Sequence, residues 1–428
     1  MTDQAHPDPS QGAPLPVIIV GAGISGLLLA QHLRKTGVSF RLLERDPDPT
    51  TRGVGWGLTL HWSLPALRSL LPEELVARLP EAYVDRAAVA RREASAFPFF
   101  DLSTGELRGA SPRAPENLRI RVTRERLRRL VAEGVDVEWG RGVVGYEERD
   151  GCVVATLDDG ERVDGRMLVA CDGGASRVRA QLFPDRHERH RIPVRVLGLK
   201  VLLSPEQMGP IRELDPFFLQ GTSSRDDTFL YLSLLDAPSN STNDDEYSGM
   251  YSCQVCISWP DRPGFLGEPE PTHFPPTNDG KLRLIRSFAE RWAEPFRSLA
   301  LGLPADTDVK QLELFDYAPP KDLRSSGRVV LMGDAFHAMA MYRGEGANHA
   351  ILDVLDFAEK VSPLLKDGAA FPELRAAMDA YEDAVVARAR PGVLASRRAC
   401  LDAHDWPKIG PASPLLSKRE MFLQFDEE

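Results

Sequence analysis

The sequence has few cysteines, a deficit of positive charge and no long apolar run. Five cysteines among 428 residues do not provide the disulfide framework of a small secreted protein. No stretch of about 18 apolar residues is present to span a bilayer. Acidic residues outnumber basic ones by 63 to 52, and the net charge of −11 argues against nucleic acid as the main partner. We therefore expect a soluble, cytoplasmic protein without stable membrane insertion, and its oligomeric state is left open.

A glycine-rich turn lies between a strand and a helix near the start of the chain. Residues 16–20 predict a buried parallel strand that runs directly into Gly21-x-Gly23-x-Ser25-Gly26 and then into a helix. In this motif the first glycine allows a tight turn, and the second lets the backbone approach a pyrophosphate. The third lets the helix pack closely on the strand. The N-terminus of the helix then offers unpaired N–H groups to phosphate.

An acidic residue follows at the distance that this motif requires. Residues 39–44 predict a second strand, which ends at Glu44, followed by Arg45. The Glu44 carboxylate can accept hydrogen bonds from a ribose 2′-hydroxyl, so the predicted ligand is the ADP part of FAD or NAD. Residues 140–145 also fit the glycine pattern, but a turn and a strand follow them. Because no helix begins there, we reject this second match.

Two later apolar strands also end in short turns that contain glycine and aspartate. They cover residues 167–171 and 328–332. A further glycine-rich turn at residues 344–348 then begins a helix that is predicted to reach about Lys360. Such residues are also common in turns that bind nothing. These turns contribute the following candidate ligand-binding residues: Asp172, Gly173, Asp334, Gly344, Gly346, Ala347 and Asn348.

These segments together resemble the para-hydroxybenzoate-hydroxylase-like, single-component (class A) FAD-dependent monooxygenases. The resemblance covers roughly residues 16–60, 118–180 and 325–400. Its three fingerprints follow the order of the family: the first is Gly21–Gly26 with Glu44, the second is residues 171–179, and the third is residues 333–337 and 344–348 with Asp353. Arg124 matches the family's Arg-x-x-Leu segment between the first and second fingerprints. We interpret the rest of the arginine-rich run 119–129 mostly as an exposed helix face.

The resemblance implies a role for the candidate residues. Asp334 would accept hydrogen bonds from the ribityl hydroxyls of FAD, and Arg124 would reach the ribityl or pyrophosphate region as a cation. The helix that begins near Gly346 would direct its N-terminus at the N1–C2=O edge of the flavin, where reduced flavin is anionic. Asp172 and Gly173 would serve FAD and NAD(P)H together, because the family lacks a second nucleotide-binding domain.

The predicted fold class is α/β, with a Rossmann-like FAD-binding domain built on a parallel sheet. A mainly antiparallel β-sheet substrate domain is interleaved with it. We expect helices over residues 281–299 and from Pro372 to about Arg390. The predicted divisions are 14–82, 112–188 and 318–400 for the FAD-binding domain, 83–111 and 189–317 for the substrate domain, and 401–428 for a C-terminal tail.

The family implies that NAD(P)H reduces FAD and that O2 forms a flavin C4a-hydroperoxide, which hydroxylates or epoxidises an aromatic or alkene-bearing small molecule. We expect a role in natural-product metabolism, and neither a nucleophile triad nor a metal site. Arg195 and Tyr231 are candidate pocket residues on predicted strands, although either could face solvent or the core. Without a clear carboxylate-binding arginine, an apolar aromatic or alkene substrate is as plausible as a benzoate.

Two other classes of function remain open from the sequence. An FAD-dependent olefin reductase or a halogenase would share the nucleotide fold, although the Trp-x-Trp-x-Ile-Pro segment of tryptophan-type halogenases is absent. A non-catalytic FAD-binding protein is a further alternative. One departure from the family is Ala340-Met341-Tyr342-Arg343, where the family usually has proline before the glycine turn. This change could alter how the flavin and the substrate pocket meet.

Overall fold

The computed structural model describes residues 15–51, 55–240 and 249–426. The strands within these residues are β1 (Val17–Val20), β2 (Phe40–Glu44), β3 (Gly57–Leu60), β4 (Phe99–Asp101), β5 (Leu107–Gly109), β6 (Ile120–Thr123), β7 (Val137–Trp139), β8 (Val143–Arg149), β9 (Cys152–Leu157), β10 (Arg162–Gly165), β11 (Met167–Ala170), β12 (His190–Leu203), β13 (Phe218–Thr222), β14 (Phe229–Asp236), β15 (Tyr251–Pro260), β16 (Val309–Asp316) and β17 (Val329–Leu331).

The α-helices connect and cover these strands. They are α1 (Ile24–Thr36), α2 (Leu64–Leu70), α3 (Glu73–Ala77), α4 (Arg86–Ala90), α5 (Arg124–Ala132), α6 (Arg177–Leu182), α7 (Pro205–Leu214), α8 (Asn278–Ala289), α9 (Phe296–Leu301), α10 (Asp334–His337), α11 (Gly346–Lys360), α12 (Ser362–Lys366) and α13 (Phe371–Asp402). Among the described residues, none of the helices is both long and apolar enough to cross a bilayer.

The first layer of the fold is a parallel sheet in the order β17-β11-β1-β2-β7. Its central strand β1 is buried along its whole length, as expected for a β-branched strand covered on both faces. Helices α1, α5, α11 and α13 contribute to the same apolar core. The sheet takes β1 and β2 from the start of the chain, β11 from the middle and β17 from beyond the antiparallel block. This arrangement confirms the predicted interleaved α/β fold.

The second large sheet is mainly antiparallel, in the order β16-β12-β15-β14-β13-β4-β5. One face packs on α8 and α9 through residues such as Trp259 and Phe288. The other face carries Phe229 and Cys256, which pack with residues from the end of α13. The predicted segments 83–111 and 189–317 supply all of its strands, while the exact domain boundaries stay a prediction.

The structure differs from the sequence prediction in its helices. The segment 281–299 is not one helix, because α8 ends at Ala289 and a separate α9 begins at Phe296. Helix α13 does not end near Arg390 but continues through Pro391 to Asp402. Proline removes one helical hydrogen bond. The buried side chains beyond it, including those of Val393 and Ala399, supply the tertiary packing that carries the helix onward.

Candidate functional site

Turns that follow adjacent parallel strands meet at one edge of the parallel sheet. Val20 aligns with Ala170, and Ala170 aligns with Leu331, so the carboxyl ends of β1, β11 and β17 lie side by side. The Gly21 amide donates to the Leu43 carbonyl of β2 at 2.7 Å. The edge therefore gathers the three predicted fingerprints, and in open α/β sheets this edge is where ligands bind.

The first glycines of the N-terminal turn have distinct structural roles. Gly21 has φ +102°, and a Cβ there would lie 2.5 Å from the carbonyl oxygen of Cys171. A Cβ on Gly26 would collide with the carbonyl oxygen of Gly21. By contrast, Gly23 has an ordinary φ of −76° and its Cβ would meet nothing within 4 Å. Gly21 and Gly26 thus close the turn, whereas Gly23 borders open space that suits a phosphate.

The carboxylate of Glu44 is fixed at the end of β2. It is 3% exposed, and its two oxygens accept hydrogen bonds from the amides of Ala22, at 2.7 Å, and Asp46, at 3.0 Å. Each carboxylate oxygen can accept more than one hydrogen bond, so these two bonds fix the position of the carboxylate without using all of its acceptor capacity. Arg45 follows directly and is exposed.

The turn after β11 leaves one carboxylate oxygen without a partner. Oδ2 of Asp172 accepts from the Arg177 amide at 2.9 Å, at the start of α6. Oδ1 is buried and has no hydrogen-bond partner in the described part of the chain. Gly173 follows with φ +83°. Because buried polar atoms are nearly always paired, the free oxygen fits a ligand that donates a hydrogen bond.

Gly333 connects β17 to Asp334, and no other residue could easily replace it. Gly333 has φ +62°, and a Cβ there would lie 2.5 Å from the hydroxyl oxygen of Ser25. Asp334 is exposed to solvent. Desolvation by the surrounding protein atoms raises the pKa of its carboxyl group, while the nearby charges of His337, Arg124 and Arg179 oppose the rise. The structure therefore brings Ser25, Arg124 and Asp334 into one cleft.

Helix α11 presents its N-terminus after the last glycine turn. Gly344 has φ +66°, and the helix begins at Gly346, so the first amides, including that of Ala347, lack helical partners by geometry. The side chain of Asn348 is buried and used internally. It donates to the Thr59 carbonyl at 3.0 Å and accepts from the Ser63 hydroxyl at 2.8 Å. Asn348 thus positions α11 against the β3–α2 connection.

A buried charge network supports this cleft from behind. Asp353 lies 2.6 Å from Nε2 of His337, accepts from the Gly333 amide at 2.8 Å, and pairs with Arg388 at 2.8 Å. Burial alone would raise the pKa of Asp353, but His337 and Arg388 lower it. In addition, Arg179 donates to the Ala335 carbonyl at 2.8 Å and so ties the second fingerprint to the third. No local sequence signal indicates the role of Arg388.

The segment that departs from the family is fixed by side chains instead of proline. Arg343 is 1% exposed and donates to Glu345 at 2.6 Å, to the Ser417 hydroxyl at 2.9 Å, and to the Lys418 carbonyl at 3.1 Å. The neighbouring Tyr342 hydroxyl lies 3.0 Å from that of Ser258. The C-terminal tail is therefore bound to the turn that precedes α11.

The two pocket candidates on the large sheet lie on opposite faces. Arg195 is in register with Trp259, whereas Tyr231 is in register with Cys256, and strand residues three apart point to opposite sides. Arg195 donates to Asp261 at 2.9 Å and lies on the face packed by α8. The structure therefore does not bring Arg195 together with Tyr231, which lies on the face of the sheet that carries Phe229 and Cys256.

This arrangement of turns at the edge of a parallel sheet is typical of dinucleotide-binding folds, and comparison with known proteins identifies the family. Residues 14–209 and 319–392 match the family model described as FAD binding domain. Since this match covers more than half of the chain, the chain belongs to the flavin monooxygenase family of para-hydroxybenzoate hydroxylase. It is an FAD-dependent monooxygenase.

Individual relatives agree with this assignment. A protein of Arthroderma benhamiae, named "Probable FAD-dependent monooxygenase", is 43% identical in an alignment that covers 98% of this chain and 99% of the relative. The FAD-dependent monooxygenase dbaB of Emericella nidulans is 36% identical over 79% of this chain and 84% of its own. The solved structure of 2,6-dihydroxypyridine-3-hydroxylase from Arthrobacter nicotinovorans shares the fold, with a TM-score of 0.72, 21% identity, and coverage of 98% and 99%.

Proposed function

We propose that this monooxygenase uses NAD(P)H and O2 to hydroxylate or epoxidise an aromatic or alkene-bearing small molecule in natural-product metabolism. Bound FAD would supply the redox chemistry and oxygen activation that side chains cannot provide. The observation that supports the proposal best is the convergence of the Gly21, Asp172 and Asp334 turns at one edge of the parallel sheet. Oxygen transfer then depends on how the chain positions the substrate and excludes water.

Each part of the cleft suits one part of FAD. The open space beside Gly23 and the N-terminus of α1 suit the pyrophosphate, and the fixed carboxylate of Glu44 suits the adenosine ribose. Asp334 and Arg124 suit the ribityl region, and the first amides of α11 suit the flavin ring. The complete proposed set is Gly21, Gly23, Ser25, Gly26, Glu44, Arg45, Arg124, Asp172, Gly173, Asp334, Gly344, Gly346, Ala347 and Asn348.

The test is an oxygen-labelling experiment on the purified holoprotein. NAD(P)H oxidation is followed with and without aromatic and terpenoid-like compounds, and products formed under ¹⁸O2 are analysed by mass spectrometry. We expect a compound that accelerates NAD(P)H oxidation and gains one labelled oxygen atom. A saturated, unlabelled product would instead indicate an olefin reductase, and bound FAD without any NAD(P)H turnover would indicate a non-catalytic protein.

A further inference from the structure

A cavity of about 410 Å³ lies beside the small sheet formed by β3 and β6. Thr59 of β3 and Arg121 of β6 line it, together with Arg119, Phe217 and Phe218. Its volume falls within the range of small-molecule sites, and its wall combines aromatic rings with a few polar groups, as such sites do.

Arg121 is a buried cation that has no acidic partner among the residues that the structure describes. Its side chain belongs to a residue only 9% exposed, and its two terminal nitrogens donate to the hydroxyls of Thr59 and Ser233, both at 2.8 Å. Nε is buried and has no hydrogen-bond partner among the described residues. Taking a guanidinium out of water costs several kcal/mol unless an opposite charge compensates it. Neutral hydroxyls and the ring of Phe218, 5.7 Å away, compensate only part of this cost.

The carboxylates on the cavity wall are already engaged elsewhere. Glu93 pairs with Arg91 at 2.7 Å and with Arg212 at 3.5 Å. Glu116 accepts a hydrogen bond from the Tyr83 hydroxyl. Neither forms an ion pair with Arg121 within the part of the chain that the structure describes. The positive charge therefore remains available to a ligand.

The surroundings of the cavity are electropositive as well. Burial and, to a smaller extent, the charges of Arg419, Arg119 and Arg343 together lower the pKa of His61 to about 3. Arg119 and Arg419 both lie over the ring of Phe97, at 4.5 Å and 5.4 Å. Several cations thus act on this side of the cleft, and their field favours an anionic occupant.

The cavity is joined to the proposed flavin site through β3. The carbonyl of Thr59 accepts from Asn348 at the start of α11, while the Thr59 hydroxyl accepts from Arg121. Gly57, on the same strand, packs so closely on the guanidinium of Arg121 that a Cβ there would collide with it. A molecule held by Arg121 is therefore positioned by the same strand that positions α11.

We propose that this cavity binds the substrate and that Arg121 determines its specificity by pairing with an anionic oxygen on an aromatic ring, either a carboxylate or an ionised phenol. The ring would lie against Phe217 and Phe218. This inference rests on the proposed function, because it takes the cavity to be the substrate site of the monooxygenase. It replaces the earlier interpretation of residue 121 as part of an exposed arginine face.

The test measures binding to the oxidised, FAD-loaded protein without NAD(P)H, so that it is independent of turnover. Perturbation of the flavin spectrum is titrated with 2-naphthoate and with its neutral match, 2-naphthamide. A second titration uses 4-nitrophenol below and above its own pKa, which separates a carboxylate preference from a phenolate preference. We expect at least one anion to bind about ten-fold or more tightly than its neutral form, a difference of about 1.4 kcal/mol.

Variants then assign the preference to one side chain. Arg121→Met should reduce the preference to less than about three-fold, and Arg121→Lys should retain part of it, because it keeps the charge but loses the fork of donors. Arg283→Gln is the matched control, because it also removes one positive charge, and Arg283 is exposed on α8, away from the residues that line the cavity. It should leave the preference unchanged.

Equal binding of anions and neutral probes by the wild type, or binding of neither, would overturn the inference even if Arg121→Met failed to fold. An undiminished preference in a folded Arg121→Met protein would overturn it as well. A clear anion preference without NAD(P)H-dependent oxygenation would support the cavity and contradict the proposed function alone.

Discussion

Replacing Gly23 by alanine should separate cofactor binding from the stability of the fold. The φ of −76° at Gly23 suits alanine, and the added Cβ would meet no protein atom within 4 Å. Gly→Ala at such a position stabilises by about 0.4–1 kcal/mol through the unfolded chain. Alanine is the poorer N-cap residue, which costs a similar amount. The free energy of unfolding of the apoprotein should therefore change by less than about 1 kcal/mol.

The effect on FAD should be much larger. The methyl group would occupy the space that we assign to the pyrophosphate and push it away from the amides at the start of α1. Hydrogen bonds to a charged group contribute about 1.5–3 kcal/mol each. Loss of one such bond predicts FAD affinity weaker by roughly ten-fold to a hundred-fold.

The measurement pairs thermal unfolding of the apoprotein with fluorescence titration of FAD. Gly209→Ala is the matched control, since Gly209 lies in α7, its Cβ would also meet nothing, and it should keep full FAD affinity. Gly21→Ala should instead lose both stability and FAD, because of its φ of +102° and the nearby Cys171 carbonyl. Wild-type FAD affinity in Gly23→Ala would refute our placement of the pyrophosphate.

Three further predictions concern charged groups. Because Asp334 is exposed, Asp334→Ala should leave the melting temperature of the apoprotein nearly unchanged yet weaken FAD binding; unchanged affinity would contradict its ribityl role. Burial lowers the pKa of His404 from 6.5 to about 4, so stability should fall as the pH falls through that window, with up to about 3 kcal/mol from His404. His404→Gln should make a pH series of denaturant melts less steep, and the buried His61 and His349 should keep the remaining slope. Arg343→Met removes the ion-pair partner of the buried Glu345, which should lower the free energy of unfolding by about 3–5 kcal/mol in chemical denaturation. Adding Glu345→Gln should restore part of this stability. A loss below about 1 kcal/mol would argue against the importance of the pair.

Features with a local physical signal could be predicted from the sequence. The apolar run before Gly21 and the acid at Glu44 specify a strand, a turn and a second strand through short-range sterics alone. Gly37, directly after α1, has the left-handed conformation that helix C-caps commonly adopt. By the same reasoning the false match at 140–145 is correctly rejected, because residues 143–149 form β8 rather than a helix.

Features that depend on distant contacts could not be predicted in this way. Arg121 lies in an arginine-rich run that the sequence suggests is exposed, but β3, which pairs with β6, and Ser233 of β14 both contact it in the structure. The continuation of α13 beyond Pro391 and the binding of Arg343 by residues 414–418 both depend on segments far apart in the chain. Tertiary packing overrides local preference at each of these places.

The order in which the parallel sheet is threaded has a consequence for biosynthesis. The ribosome releases β1 and β2 early, but β17, α11 and the tail that pins Arg343 leave it last. Because synthesis begins at the N-terminus, the glycine turn after β1 is made long before β17 and α11, which form the opposite wall of the cleft. Cofactor loading must accordingly wait until translation is nearly finished, and products of premature termination should be colourless.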